Sequence, residues 1–105
     1  MTAGTFPHSI SSNLCRRMTG PGYTVELDWR GESAYYIEPD RRLWLFAAYW
    51  GGTGSLEHIH AVWEYPNGRR VALTPEERLE TLRRVLATIK ANDNFPMRCG
   101  ELEQA

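Results

Sequence analysis

The chain has 105 residues, which suits one domain and is too short for two. Hydrophobic residues make up 42% and charged residues 24%, the balance of an ordinary globular protein with its own core. The formal net charge of −1 argues against nucleic-acid or membrane binding, because a chain without net positive charge is not drawn to nucleic acid or to an anionic membrane. No apolar run approaches the roughly 20 residues that cross a bilayer, and the N-terminus lacks the features of a signal peptide. We therefore expect a cytoplasmic protein.

Two cysteines, Cys15 and Cys99, lie far apart in the sequence. They form no CxxC motif and have no matching pair of histidines, so we expect two reduced thiols rather than a disulfide or a zinc site. The glycine-rich segment 51–55 precedes no helix, which excludes a phosphate-binding loop. We expect no cofactor, and the sequence favours a non-enzymatic protein.

The first 22 residues are rich in Thr, Ser, Gly and Pro, which are typical of turns and linkers. Within them, Ile10, Leu14 and Met18 recur every four residues, so a short helix capped by Ser9 is one prediction. A disordered tail is the alternative. Either way we expect the folded domain to begin at residue 23 and to end at residue 94, followed by a C-terminal tail over 95–105.

Five segments rich in β-branched and aromatic residues follow one another, separated by turn signals. They predict a five-stranded antiparallel meander, and the helix that follows makes the fold class α+β. The strands are expected at 23–30, 33–38, 42–50, 56–65 and 69–73.

The predicted register of the first three strands places Ile37 opposite both Val25 and Leu43. It also places Glu38 opposite Arg42, a favourable charge pair. A slip by one residue would invert every side chain of a strand. The face turned to the core then holds Val25, Leu27, Tyr35, Ile37, Leu43, Leu45, Ala47 and Tyr49.

The last two turns of the meander are predicted from the positions of their glycines. A five-residue connection at 51–55 would pair Trp50 with Leu56, and it points Glu57 inward. The segment 65–69 fits a type I turn with a glycine bulge, which pairs Glu64 with Arg70.

A helix is predicted from Pro75 onward. Thr74 at the N-cap and Glu77 at the third helical position make a capping box, with Pro75 at the first position. The apolar residues Leu79, Leu82, Val85, Leu86 and Ile89 form one stripe that would cover one face of the sheet.

The other face of the meander is expected to carry an aromatic patch, because one helix covers only one face. Contiguous apolar patches of this kind usually mark an interface or a ligand groove. The N-terminal segment, a second copy in a homodimer, or a different protein or ligand could each cover it. The predicted binding surface is Tyr36, Trp44, Phe46, Trp50, His58 and His60, with Ala48, Leu56 and Val62 alongside.

His58 and His60 are two apart on a strand, so both imidazoles would point to one side. A zinc site needs three or four ligands, and the third candidate, Glu64, is expected to pair with Arg42. We therefore predict no metal site. The alternative function is a small-ligand or metal-binding protein, or an enzyme, with these histidines in a pocket.

The preferred function is a small protein-binding domain that uses its aromatic sheet face. Exposed aromatics on a sheet also occur in RNA-binding platforms, but the charge balance and the missing glycine–aromatic motif argue against that class. Bacterial immunity proteins, which neutralise toxins, are one class of small domain with this design. That suggestion rests on fold-level analogy, because no motif here identifies a family.

Overall fold

The computed structural model describes residues 16–28, 32–50, 53–57, 62–93 and 97–104, which form an α+β domain. The α+β class and the C-terminal helix over the sheet are confirmed. The described strands are β1 Arg16–Gly20, β2 Tyr23–Asp28, β3 Ser33–Ile37, β4 Arg42–Trp50, β5 Thr53–Glu57, β6 Val62–Glu64, β7 Arg70–Ala72 and β8 Met97–Arg98, and the helices are α1 Pro75–Asp93 and α2 Gly100–Glu103.

The sheet is larger than the predicted five-stranded meander. Its strands lie in the order β1-β2-β3-β4-β5-β8, and β6 pairs with both β4 and β7 beside this path. Every pairing is antiparallel except that of β5 with β8, which is parallel. The sheet is therefore mixed, and the wholly antiparallel meander is wrong.

The extra strand at the N-terminal side is β1. It pairs with β2 through a tight turn, Pro21-Gly22, in which Gly22 has a φ of 82°. Proline followed by a glycine with positive φ is the arrangement of a type II turn. A helix carrying Met18 is thus wrong for residues 16–20, and Met18 is buried in the core from a strand. Ile10 and Leu14 lie outside the described residues.

Strand β3 is turned over relative to the prediction. Tyr36, not Ile37, lies opposite Val25 and Leu43, so Tyr36 faces the core, and Tyr35 and Ile37 face away. The register on each side of β3 differs from the prediction by one residue: Ile37 lies opposite Thr24 rather than Val25, and opposite Arg42 rather than Leu43. Each turn shifts the pairing by one, so β3 flips while β2 and β4 keep their predicted relation.

The turn between β3 and β4 also replaces a predicted charge pair. The amide of Glu38 donates to the Arg41 carbonyl at 2.8 Å, which closes the four-residue turn. Arg42 therefore lies opposite Ile37 rather than Glu38. The carboxylate of Glu38 pairs instead with Arg41, at 2.6 Å.

The register of β4 changes along its length. Near its end, Trp50 pairs with Thr53, so the predicted pairing of Trp50 with Leu56 is wrong. Leu56 lies opposite Ala47 and is fully buried. At the start of β4, Arg42 lies opposite Glu64, as the predicted register requires. Between these two points the register of the strands paired with β4 shifts by three residues. Because this number is odd, Leu56 lies on the opposite face of the sheet from the one predicted for it.

The hairpin of β6 and β7 follows the predicted register, with Glu64 opposite Arg70. The Tyr65 carbonyl accepts from the Gly68 amide at 2.9 Å, and the Tyr65 amide donates to the Arg69 carbonyl at 2.9 Å. Gly68 has a φ of 88°, the left-handed conformation that a glycine bulge needs. The predicted turn chemistry is confirmed.

The capping box of α1 is also confirmed. The Glu77 amide donates to Thr74 Oγ1 at 3.1 Å, and the Thr74 amide donates to Glu77 Oε1 at 2.8 Å. Three residues of the apolar stripe are fully buried against the sheet, whereas Leu79 and Leu86 are half-buried. The described core comprises Met18, Tyr23, Val25, Leu27, Ala34, Tyr36, Leu43, Leu45, Ala47, Leu56, Trp63, Leu82, Val85, Ile89, Met97 and Cys99.

Residues 97–103 are ordered rather than the loose tail that was predicted. Met97 and Cys99 are buried, and Leu102 packs against the same core, so these side chains complete it beside β5. Strand β1 thus precedes the predicted domain 23–94, and β8 and α2 follow it. The boundaries of the domain stay a prediction. Neither described helix has the length and apolar character needed to cross a bilayer.

Candidate functional site

The two faces of the sheet differ in what covers them. The helix-covered face holds the core side chains of β2, β3, β4 and β5 beneath α1. The opposite face, here called the second face, carries polar and aromatic side chains from β1 to β6. Its described members include Arg17, Thr19, Thr24, Glu26, Asp28, Ser33, Tyr35, Ile37, Arg42, Trp44, Phe46, Ala48, Ser55, Glu57, Val62 and Glu64.

Tyr36, predicted as part of the binding surface, belongs to the helix-covered face and is fully buried. Its hydroxyl donates to Glu38 Oε2 at 2.8 Å and accepts from Arg84 Nη1 at 2.7 Å. Burial raises the pKa of the Tyr36 phenol to about 12. The Glu38 carboxylate also raises this pKa, whereas Arg84 lowers it. Tyr36 therefore ties β3 to α1 rather than lining a surface.

A second tie joins β6 to the start of α1. Trp63, 1% exposed, donates its indole N–H to Glu77 Oε2 at 3.1 Å. The Arg41 guanidinium lies 3.7 Å from the centre of a Trp63 ring and 3.3 Å from the same Glu77 oxygen. These contacts are structural, because they fix the helix on the sheet.

The second face contains a cleft of about 220 Å³ between β3, β4 and the β6–β7 hairpin. Three half-buried side chains, those of Tyr35, Trp44 and Val62, supply its apolar walls. Charged side chains from β4, β6 and β7 complete it. The lining residues of this cleft are Tyr35, Arg42, Trp44, Val62, Glu64 and Arg70.

Arg42 forms the buried charged floor of the cleft and is 2% exposed. Its Nε donates to Glu64 Oε1 at 2.5 Å, and its guanidinium carbon lies 4.5 Å from the centre of the Tyr35 ring. Glu64 also lies 3.9 Å from the exposed guanidinium of Arg70. The pairing compensates the buried charge and fixes the Tyr35 ring from the β4 side.

Glu26 is the second buried charge of this face and is 3% exposed. It lies directly between Arg17 on β1 and Tyr35 on β3. Arg17 donates from Nε at 2.9 Å and from Nη2 at 2.6 Å, and both bonds reach the same oxygen, Oε2. Within the described part of the chain, the other oxygen, Oε1, has no hydrogen-bond partner.

The structure thus brings together only part of the predicted surface. Trp44 and Phe46 are half-buried on the second face, whereas Tyr36 is on the other. His58 and His60 lie outside the described residues, as does the side chain of Trp50. Glu57 was predicted to point inward, but it lies opposite Phe46 and is exposed.

Sequence reasoning missed three residues of the site: Tyr35, Arg42 and Glu26. Tyr35 was assigned to the wrong face with the rest of β3. Arg42 was expected only as a charge partner of Glu38 and Glu64, and Glu26 was not singled out. No local sequence signal identifies the burial of Arg42 and Glu26, because it depends on residues of neighbouring strands.

The cleft offers aromatic and apolar walls together with paired charged side chains. In the parts of the chain that are described, no group of three or more His, Cys, Asp or Glu side chains is placed to hold a metal ion. The Cys99 thiol is buried in the core, and burial raises its pKa, so it is a weak nucleophile. Comparisons with protein-family models, curated proteins and solved structures find no match.

Proposed function

We propose that this protein is a small non-enzymatic binding domain whose second face docks on another protein. The observation that carries the proposal is the aromatic cleft on the face that α1 does not cover. Tyr35 and Trp44 line it, and a buried, paired arginine forms its floor. Tyrosine, tryptophan and arginine are the residues that dominate binding energy at protein interfaces.

The size and shape of the cleft favour a protein over a small molecule. At about 220 Å³ it is smaller than the roughly 300–1,000 Å³ typical of small-molecule sites. It suits one or two side chains of a partner, and half-buried Phe46 and Ile37 extend the apolar surface beside it. Charged groups at one edge and aromatic groups at the centre are the usual composition of an interface.

A homodimer through the same face is the second form of this proposal. It predicts that the protein alone doubles its mass in sedimentation as concentration rises, and that Trp44→Ala prevents this. A toxin as the partner is a narrower hypothesis that rests on fold-level analogy. The alternative through His58 and His60 has no described geometry to support it.

Site-specific photo-cross-linking tests the proposal. A benzoylphenylalanine residue at Phe46 probes the second face, and the same residue at Arg83, exposed on α1, is the matched control. In the source cells we expect a discrete cross-linked product from position 46 that Trp44→Ala abolishes. Cross-links from position 83 but none from position 46 would place the interface on the helix instead.

A further inference from the structure

The second face contains a buried carboxylate that is only half satisfied. Arg17 directs two donors to Glu26 Oε2, whereas the usual arginine–carboxylate fork engages both oxygens. Oε1 is buried and lacks a partner in the described chain. A buried acceptor without a donor costs free energy, so such a group in a native fold calls for an explanation.

We infer that Glu26 Oε1 is the acceptor for a lysine side chain of the docking partner. This inference rests on the proposed function, because it names the chemistry that the second face recognises. The one described ionic partner of the carboxylate, Arg17, has a side chain that is 65% exposed. An incoming cation compensates that charge better than a neutral hydroxyl does.

The geometry selects lysine over arginine. Only one oxygen of Glu26 lacks a donor, which suits the compact ammonium group of lysine. The planar fork of a second arginine would need both oxygens, and Arg17 already holds one. The apolar stem of the lysine would lie along Tyr35, which is directly opposite Glu26 on the neighbouring strand.

The cleft and the carboxylate are close enough for one partner segment to use both. Glu26, Tyr35 and Trp44 form one row across β2, β3 and β4. With strands about 4.8 Å apart, Glu26 is roughly 10 Å from Trp44. Arg42 holds the Tyr35 ring from the β4 side, so the lysine would approach from the β2 side. An apolar side chain in the cleft and a lysine a few residues away would fit.

Oε1 is buried, so a lysine reaches it only when neighbouring side chains shift. Arg17, bound at Oε2, partly neutralises the same carboxylate and so weakens its attraction for a second cation. Arg17 is then a competitor of the ligand. Arg17→Ala should strengthen lysine binding, whereas Arg16→Ala, at the exposed neighbouring position, should not.

NMR titration with Nα-acetyl-lysine methylamide tests the inference on the intact protein. We expect millimolar binding, shifts at the Glu26 carboxyl carbon and the Tyr35 ring, and weaker shifts with the arginine derivative. The norleucine derivative, which has the same stem without the charge, should give none. Glu26→Gln should weaken binding about tenfold, and Glu57→Gln, an exposed acid on the same face, should leave it unchanged.

Equal shifts with norleucine, or unchanged binding in Glu26→Gln, would overturn the inference. If Glu26→Gln fails to melt cooperatively, the Arg17→Ala and Arg16→Ala pair decides in its place. Failure here is distinguishable from failure of the proposed function. Cross-linking from position 46 that survives in Glu26→Gln would support docking through the second face and reject the lysine site. Lysine binding without cross-linking would support the lysine site and reject docking through the second face.

Discussion

Arg84 on α1 donates a hydrogen bond of 2.7 Å to the hydroxyl of Tyr36 on β3. The same hydroxyl donates to Glu38 at 2.8 Å, and Arg84 also pairs with Glu80 on its own helix at 3.1 Å. This network of hydrogen bonds and ion pairs fixes the helix over one face of the sheet. The opposite face is consequently the one that α1 does not cover.

Replacing Tyr36 by Phe tests this connection through pH. The phenol ionises near pH 10 when unfolded and at about 12 when folded. Its contribution to stability is therefore fully present below pH 10 and is lost as the pH rises from 10 to 12. We expect Tyr36→Phe to lower the free energy of unfolding by about 2 kcal/mol at pH 8, because the hydrogen bonds involve charged partners.

Urea unfolding at several pH values measures this effect. The difference between Tyr36→Phe and the wild type should shrink between pH 10 and 12. Tyr35→Phe on the second face is the matched control and should show a constant difference. A difference for Tyr36→Phe that does not change with pH would contradict the role given to its buried hydroxyl.

The elements with strong local chemistry could be predicted from the sequence. The capping box of Thr74 and Glu77 and the turn ending at Gly68 depend on neighbours within a few residues, and both are confirmed. Strand β3 could not be placed, because its sequence, Ser33–Ile37, puts Tyr35 on one face and Tyr36 on the other. Alternation then gives no preference, and one residue in a turn decides the register.

Trp44 and Leu45 are neighbours on β4 that face opposite sides of the sheet. Leu45 is fully buried beneath α1, so Leu45→Ala should lower the free energy of unfolding by about 2–5 kcal/mol. Trp44 is half-buried on the second face, so Trp44→Ala should cost less than half as much. Denaturant melts of the pair measure the difference, and a larger cost for Trp44→Ala would show that its ring is core.

Glu77 gives a prediction at acid pH. The hydrogen bond from the Thr74 amide lowers the pKa of its carboxyl below the usual 4.5, and the Trp63 indole N–H and Arg41 act in the same direction. The contribution of Glu77 is present above pH 4.5 and is lost as the pH falls through the lowered pKa. We expect Glu77→Gln, which keeps a capping acceptor but cannot ionise, to reduce the loss of stability on acidification.

Thermal melts between pH 2 and 6 measure this loss. Glu76→Gln, one position earlier and exposed, is the control and should follow the wild type. Parallel curves for Glu77→Gln and the wild type would show that the carboxylate does not contribute.

Glu26 and Arg42 are the two buried charges of the second face, and they should differ in their cost to stability. Glu26→Met removes a half-satisfied buried carboxylate whose partner, Arg17, has a mostly exposed side chain, so the free energy of unfolding should stay the same or rise by about 1 kcal/mol. Arg42→Met breaks the 2.5 Å pair with Glu64 and should lower it. A large loss in Glu26→Met would mean that the carboxylate serves the fold.

The site was less predictable than the fold for a physical reason. The burial of Glu26 depends on Arg17 and Tyr35 from two neighbouring strands, and one of these strands was not expected. Trp44 and Phe46 were placed on the correct face because β4 keeps its predicted relation to β2. The alternation of residues along one strand predicts which face of the sheet each side chain lies on. It does not predict which charged side chains on that face are buried by neighbouring strands.

The most direct test of the docking face is to add the cross-linked partner, once purified, to isotope-labelled protein and to map the NMR shifts. We expect the Trp44 indole and Tyr35 ring signals to shift with partner concentration, and those of exposed Arg83 and Lys90 on α1 to stay unchanged. Shifts confined to α1, with Trp44 and Tyr35 unchanged, would contradict this expectation.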